Sequence, residues 1–117
     1  MENVVVVGAS EKEERYSNKV IKMLKEYGHN PIPIAPAATE ILGKKVYKSI
    51  ADVEEKSIDT ITIYVGVKNQ SDELLGQIIK AQPKRVIFNP ETENPEIYKK
   101  LNEAGIETIE ACTLVML

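Results

Sequence analysis

The chain has one cysteine, one histidine, one phenylalanine and no tryptophan among its 117 residues. A single cysteine excludes an internal disulfide and therefore a disulfide-stapled scaffold. With one histidine, one cysteine and no cluster at metal-ligand spacing, metal catalysis and Cys–His nucleophilic catalysis are both disfavoured. Positive charge is not in excess. The net charge is −3, with nine basic and nine acidic residues up to Ile58 and six basic and nine acidic after it. Neither half is basic and no aromatic platform exists, so nucleic-acid binding is disfavoured. The apolar runs are far too short to span a bilayer. Met1-Glu2-Asn3 leads straight into one of them, without the pattern of a signal peptide. The expectation is a cytoplasmic protein with neither a membrane nor a nucleic acid as partner.

What is present is one ordinary globular core, with 43% hydrophobic and 28% charged residues. The stretch that organises it runs from Val4 to Gly28. Val4 to Val7 are four β-branched residues in succession, the pattern of a strand buried on both faces. Gly8-Ala9-Ser10 follows, where small residues let a ligand approach the backbone. After a polar loop an amphipathic helix begins, with Ser17 as candidate N-cap and Tyr16 and Ile21 as a candidate hydrophobic staple. Val20, Ile21, Leu24 and Tyr27 share its apolar face, and Gly28 ends it.

Further along, Pro31 to Ala35 reads as a second strand, weakly paired at its prolines. Val46-Tyr47 reads as a brief strand, with Ser49 capping a short helix through Val53. Asp59 to Val65 is a long strand. A helix starts at Ser71, buries Leu74, Leu75, Ile78 and Ile79, and stops at Pro83. Arg85 to Phe88 is another strand. Asn94 caps the last long helix, Pro95 takes its first turn, Ile97, Leu101 and Ala104 face inward, and Gly105 follows its end. Ile106 to Ile109 is the final strand, and the apolar tail from Cys112 to Leu117 needs a cover. This alternation predicts a single α/β domain, a mainly parallel sheet with helices on both faces. Ligands in such sheets bind outside the strands' C-terminal ends. Four segments would converge there: Gly8 to Ser17, Ala35 to Ala38, Tyr64 to Val67, and Asn89 to Thr92.

A dinucleotide site wants G-x-G-x-x-G and an acid closing the second strand. Gly8 to Glu13 supplies only the first glycine, and Ile34-Ala35-Pro36 supplies no acid. The P-loop pattern is absent too, against ATP hydrolysis. Val7-Gly8-Ala9-Ser10, Arg15-Tyr16-Ser17-Asn18, Ile32 to Pro36, Ile41 to Tyr47 and Ser49 to Val53 together resemble the CoA-binding domain family. That family has a Rossmann-like fold, similar to the N-terminal domain of the succinyl-CoA synthetase α subunit. The resemblance covers nearly all of residues 1–117 and implies binding of coenzyme A, a small nucleotide ligand. By position, Gly8, Ala9, Ser10, Arg15, Tyr16 and Ser17 would line the phosphate and adenine side. Ala35 and Pro36 would contact the nucleotide. Tyr64, Val65 and Gly66 with Asn89, Pro90 and Glu91 would close the other wall. Many family members carry Asn-Pro-Lys where this chain has Ala35-Pro36-Ala37, which leaves Lys44 or Lys45 as the substitute cation.

The leading expectation is a non-catalytic module for CoA or acyl-CoA. Its rivals are an NAD(P)-using enzyme or redox sensor on the same scaffold, and an interaction module without ligand that forms homo-oligomers through its apolar C-terminus. Arg15 reads either as a phosphate fork or as a structural charge, solvated in the loop or paired with Glu11, Glu13 or Glu14. His29 reads as structural and Cys112 as an inert buried thiol.

Overall fold

The computed structural model describes residues 1–116. Leu117, the last residue of the apolar tail, lies outside them. The elements in order are β1 (Asn3–Val7), α1 (Tyr16–Glu26), β2 (Asn30–Ile34), β3 (Glu40–Ile41), β4 (Lys44–Lys45), a 3-10 turn at Ile50–Asp52, β5 (Thr60–Ile63), a second 3-10 turn at Val67–Asn69, α2 (Asp72–Ala81), β6 (Arg85–Phe88), α3 (Pro95–Glu103), β7 (Glu107–Glu110) and α4 (Thr113–Met116).

Five strands form one parallel sheet in the order β2-β1-β5-β6-β7, and β3 and β4 form a separate antiparallel hairpin. Chain direction across the sheet reverses beside β1, which is the switch point of a doubly wound sheet. Val5 and Val7, with Ile61, Ile63, Val86 and Phe88, meet Leu75, Ile78, Ile97 and Leu101 of α2 and α3 on one face. Val4 and Val6 meet Val20, Ile21 and Leu24 of α1 and Leu114 of α4 on the other. Alternate β1 residues thus feed two cores, which is why the run is apolar without interruption. Val4, Val5 and Val6 are fully buried, each stabilising by about 1.5–3 kcal/mol relative to exposure.

β2 lies at the sheet's edge and pairs in register with β1 through Val4 and Pro31, and Val6 and Pro33. Only at an edge can prolines with no N–H be absorbed without orphaning a neighbour. Beyond them Tyr47 extends the ladder, donating its N–H to Pro33 O and accepting from the Ala35 N–H. Tyr47 is therefore a bridge residue, while the expected strand sits two residues earlier in the β3–β4 hairpin.

Helix ends follow local chemistry in α2 and α3. Ser71 Oγ accepts from the Leu74 N–H at 3.1 Å, and Asn94 Oδ1 accepts from the Ile97 N–H at 3.4 Å. α1 departs from expectation. Its N-cap is Arg15, with no side-chain cap bond, and Ser17 lies inside the first turn. That turn is held from outside, by the Asn18 amide donating to Ser10 O at 2.9 Å. Tyr16 makes no staple. It is 67% exposed, with Lys19 Nζ 5.5 Å from its ring centroid. Tyr27 likewise points outward at 63% exposure. The apolar tail is covered only in part: Thr113 is fully buried and Leu114 packs on the α1 side, while Val115 is 84% exposed.

Candidate functional site

A cleft of about 450 Å³ opens at the C-terminal ends of β1, β5 and β6. Gly8 and Ser10 border it from the β1 exit, Lys12 and Arg15 from the following loop, and Tyr16 and Ser17 from the start of α1. Tyr64 and Gly66 reach it from the β5 exit, and Pro90, Glu91 and Thr92 from the β6 exit.

The glycine turn is shaped by packing as well as by access. Gly8 has φ +87°, and a Cβ built there would sit 2.9 Å from Val65 Cγ1 and 3.2 Å from the Tyr64 carbonyl carbon. The β1 and β5 loops touch at this point, which leaves no room for a side chain. The Gly8 and Ala9 N–H groups both donate to Ile34 O, at 3.2 and 3.0 Å. Those amides are spent on the scaffold. Donors left for an anion are the Ser10 hydroxyl, the two cationic side chains, and the first amides of α1, which a helix leaves without intrahelical partners. Among the described residues neither Lys12 nor Arg15 enters an ion pair. Pairing of Arg15 with Glu11, Glu13 or Glu14 is not seen, and the exposed side chain fits both a phosphate fork and a solvated loop charge.

Five of the expected residues lie off the cleft. Ala9 packs beside the α1-side core. Ala35 is buried, its N–H given to Tyr47 O at 3.0 Å, and Pro36 is exposed beyond it. Val65 faces a separate hollow shared with Ser71 and Leu74. Asn89 turns inward. Its Nδ2 donates to Thr62 Oγ1 at 2.6 Å and Ile63 O at 2.8 Å, and its Oδ1 accepts from the Thr113 N–H at 2.9 Å and Oγ1 at 3.0 Å. All of these groups are buried, so Asn89 joins the floor of the cleft to α4. Of the four segments expected to converge, Ala35 to Ala38 contributes nothing to the lining.

The substitute cations are not at the cleft either. Lys44 Nζ donates to Asn30 Oδ1 at 2.5 Å, and Lys45 pairs with Glu54 at 2.7 Å. His29 is remote, accepting the Glu2 N–H on Nδ1 at 3.0 Å, where β1 begins rather than ends. Tyr64 borders the cleft, and its buried hydroxyl has no hydrogen-bond partner among the described residues. Burial pushes its pKa up to about 12, and Cys112 nearby adds to the rise. The phenol stays neutral at physiological pH.

Gln70 and Thr92 are the residues that sequence reasoning on single side chains passes over. The Gln70 amide donates to Val65 O at 3.1 Å and Thr92 O at 2.8 Å. It accepts from Asn94 Nδ2 at 3.1 Å. The bonds to Thr92 and Asn94 join positions 22 and 24 residues apart and leave no local signature. Lys12 and Thr92 lie within converging segments, but nothing in their own neighbours marks them.

An open parallel sheet with a cleft at its switch point, flanked by a helix N-terminus and free cations, is the architecture of an α/β ligand-binding domain. Residues 2–117 match the model of the CoA binding domain family, and the chain belongs to that family. It is 40% identical over 63 residues, 54% of its length, to the acetate–CoA ligase (ADP-forming) of Methanocaldococcus jannaschii, and that match spans 9% of the ligase. It is 29% identical over 108 residues to the uncharacterised protein YneT of Bacillus subtilis, covering 87% of this chain and 74% of YneT. The solved structure of an uncharacterised protein superposes with a TM-score of 0.90 at 40% identity, covering 99% of this chain and 93% of that one.

Proposed function

We propose that this chain is a non-catalytic cytoplasmic module that binds coenzyme A or an acyl-CoA in the cleft at the ends of β1, β5 and β6. The observation that carries the reading is the pairing of an open cleft of about 450 Å³ with Lys12 and Arg15 in the loop before α1, neither of which enters an ion pair among the described residues. Family membership supplies the ligand class. Arg15 would offer a planar fork to a phosphate, with Ser10 and the α1 amides as neutral donors. The β2 end presents Ala35 and Pro36 in place of a ribose-binding acid, which argues against NAD. His29 stands away from the cleft, bonded to the Glu2 amide, and this supports binding rather than acid–base chemistry.

The test is thermal unfolding with CoA, dephospho-CoA, NAD, NADP and ATP in parallel. A ligand at one hundred times its Kd stabilises by about 2.7 kcal/mol, roughly 10 °C for a domain of this size. No shift with millimolar CoA would overturn the proposal. A shift with NADP alone would move the site to the dinucleotide class. A homodimer through α4 is the second reading, favoured by Val115 at 84% exposure. It predicts a two-chain mass by light scattering that Val115→Glu returns to one chain.

A further inference from the structure

We infer that Gln70 is the positioning residue of the cleft, holding its β5 and β6 loops in one arrangement. The inference rests on the CoA reading of that cleft for its affinity arm.

A short 3-10 turn at Val67–Asn69 returns the chain beneath the β5 exit. There the Gln70 side chain bonds three atoms of two loops: Val65 O after β5, and Thr92 O and Asn94 Nδ2 after β6. Both its N–H donors and its carbonyl acceptor are used, so the amide has a single orientation. Asn94 is also the cap of α3, so Gln70 ties the two loops to the start of a helix.

What the tie restrains is visible at Glu91. This residue has φ +76°, a left-handed conformation that side chains rarely adopt and that persists only where its surroundings enforce it. On its N-terminal side Asn89 is fixed by its buried network. On its C-terminal side Thr92 is 4% exposed and donates both its N–H and its hydroxyl to Asn89 O, at 3.0 and 2.7 Å. Among the described residues, the one further anchor on the Thr92 backbone is Gln70, at 2.8 Å. Gly66 and Glu91, on opposite sides of this tie, both border the cleft.

The experiment compares Gln70→Ala with Ser71→Ala. The second variant removes the α2 cap one residue away and leaves both loops tied. In Gln70→Ala, amide exchange at Thr92 is expected to accelerate, and the CoA Kd to weaken about tenfold if the competent arrangement falls to about a tenth of the population. Ser71→Ala is expected to lower the unfolding midpoint without moving either readout. Gln70→Glu keeps the length but loses both donors and is expected to fail as Gln70→Ala does. Unchanged Thr92 exchange in Gln70→Ala overturns the inference. So does an unchanged CoA Kd in Gln70→Ala where the wild type binds CoA. If the wild type binds no CoA, the CoA reading falls and the exchange arm alone decides on Gln70.

Discussion

Replacing Asn89 with alanine separates a structural role from a ligand contact. In the fold the side chain makes four buried hydrogen bonds, to Thr62 Oγ1, Ile63 O, and the N–H and Oγ1 of Thr113. Truncation does not orphan all of these partners. Thr62 and Thr113 keep their mutual hydroxyl bond at 2.8 Å, and Ile63 O still accepts the Asn89 backbone N–H at 3.4 Å. The Thr113 N–H is left without a partner in a fully buried residue. One such group costs about 1–3 kcal/mol. Lost packing around the missing amide adds about 1 kcal/mol. The expected loss is about 2–4 kcal/mol, or roughly 8–16 °C in the midpoint of a domain this size. Urea unfolding with an unchanged m-value measures it. Amide exchange in α4 is expected to rise more than in α2, because Thr113 is the α4 residue that the network holds. A loss below about 0.5 kcal/mol, the range of an ordinary surface substitution, would refute the reasoning.

Further substitutions test the remaining physical claims. Gly8→Ala meets both a positive φ and a 2.9 Å contact, so it is expected to cost about 2–5 kcal/mol in urea unfolding, from left-handed strain of about 1–2 and overpacking of about 1–3. Gly105→Ala, with φ +83° and open space around it, carries only the strain and is expected to cost about 1–2 kcal/mol. Tyr64 is expected to ionise near pH 12 in the folded protein, read by ultraviolet titration against Tyr64→Phe. Its folded pKa lies above the unfolded value, so its contribution to stability is complete below pH 10 and is lost as pH rises toward 12. Arg15→Gln is expected to weaken CoA by about tenfold, the scale of a charge-assisted bond, and to flatten the salt dependence of binding, whereas Lys44→Gln and Lys45→Gln leave affinity unchanged in the same calorimetric titration.

Much of the fold was legible because the signals are local. Asn94, Pro95 and Gly105 mark α3 through chemistry within a few residues, and Ser71 marks α2 in the same way. The unbroken Val4–Val7 run announced a strand with a core on each side. What failed was decided at a distance. Arg15 takes the cap of α1 because Asn18 ties the first turn back to Ser10 O. Tyr16 is expected as a staple against Ile21 and Tyr27 as part of the apolar face, yet both sit exposed at the ends of α1. Asn89 stood at a strand's end like a ligand residue, but its amide is matched by Thr62 and Thr113, 27 and 24 residues away. Spacing along the chain placed the cleft. Which side chains face it depended on hydrogen bonds between segments.

The distribution of positive charge follows from the same long-range pairings. The sequence offers basic residues at Lys12 and Arg15 and again at Lys44 and Lys45. The second pair is consumed in holding the β3–β4 hairpin, through Asn30 and Glu54. The end of β2 is left with Ala35, Pro36 and Ala37, and the cations bordering the cleft both come from the loop before α1. A ligand with one diphosphate can be met by that loop and the helix N-terminus together. Among the described residues no second group of cations borders the cleft to meet a further phosphate, and Glu91 there carries the opposite sign. Affinity for CoA and for dephospho-CoA should therefore lie close together, with the diphosphate as the shared determinant.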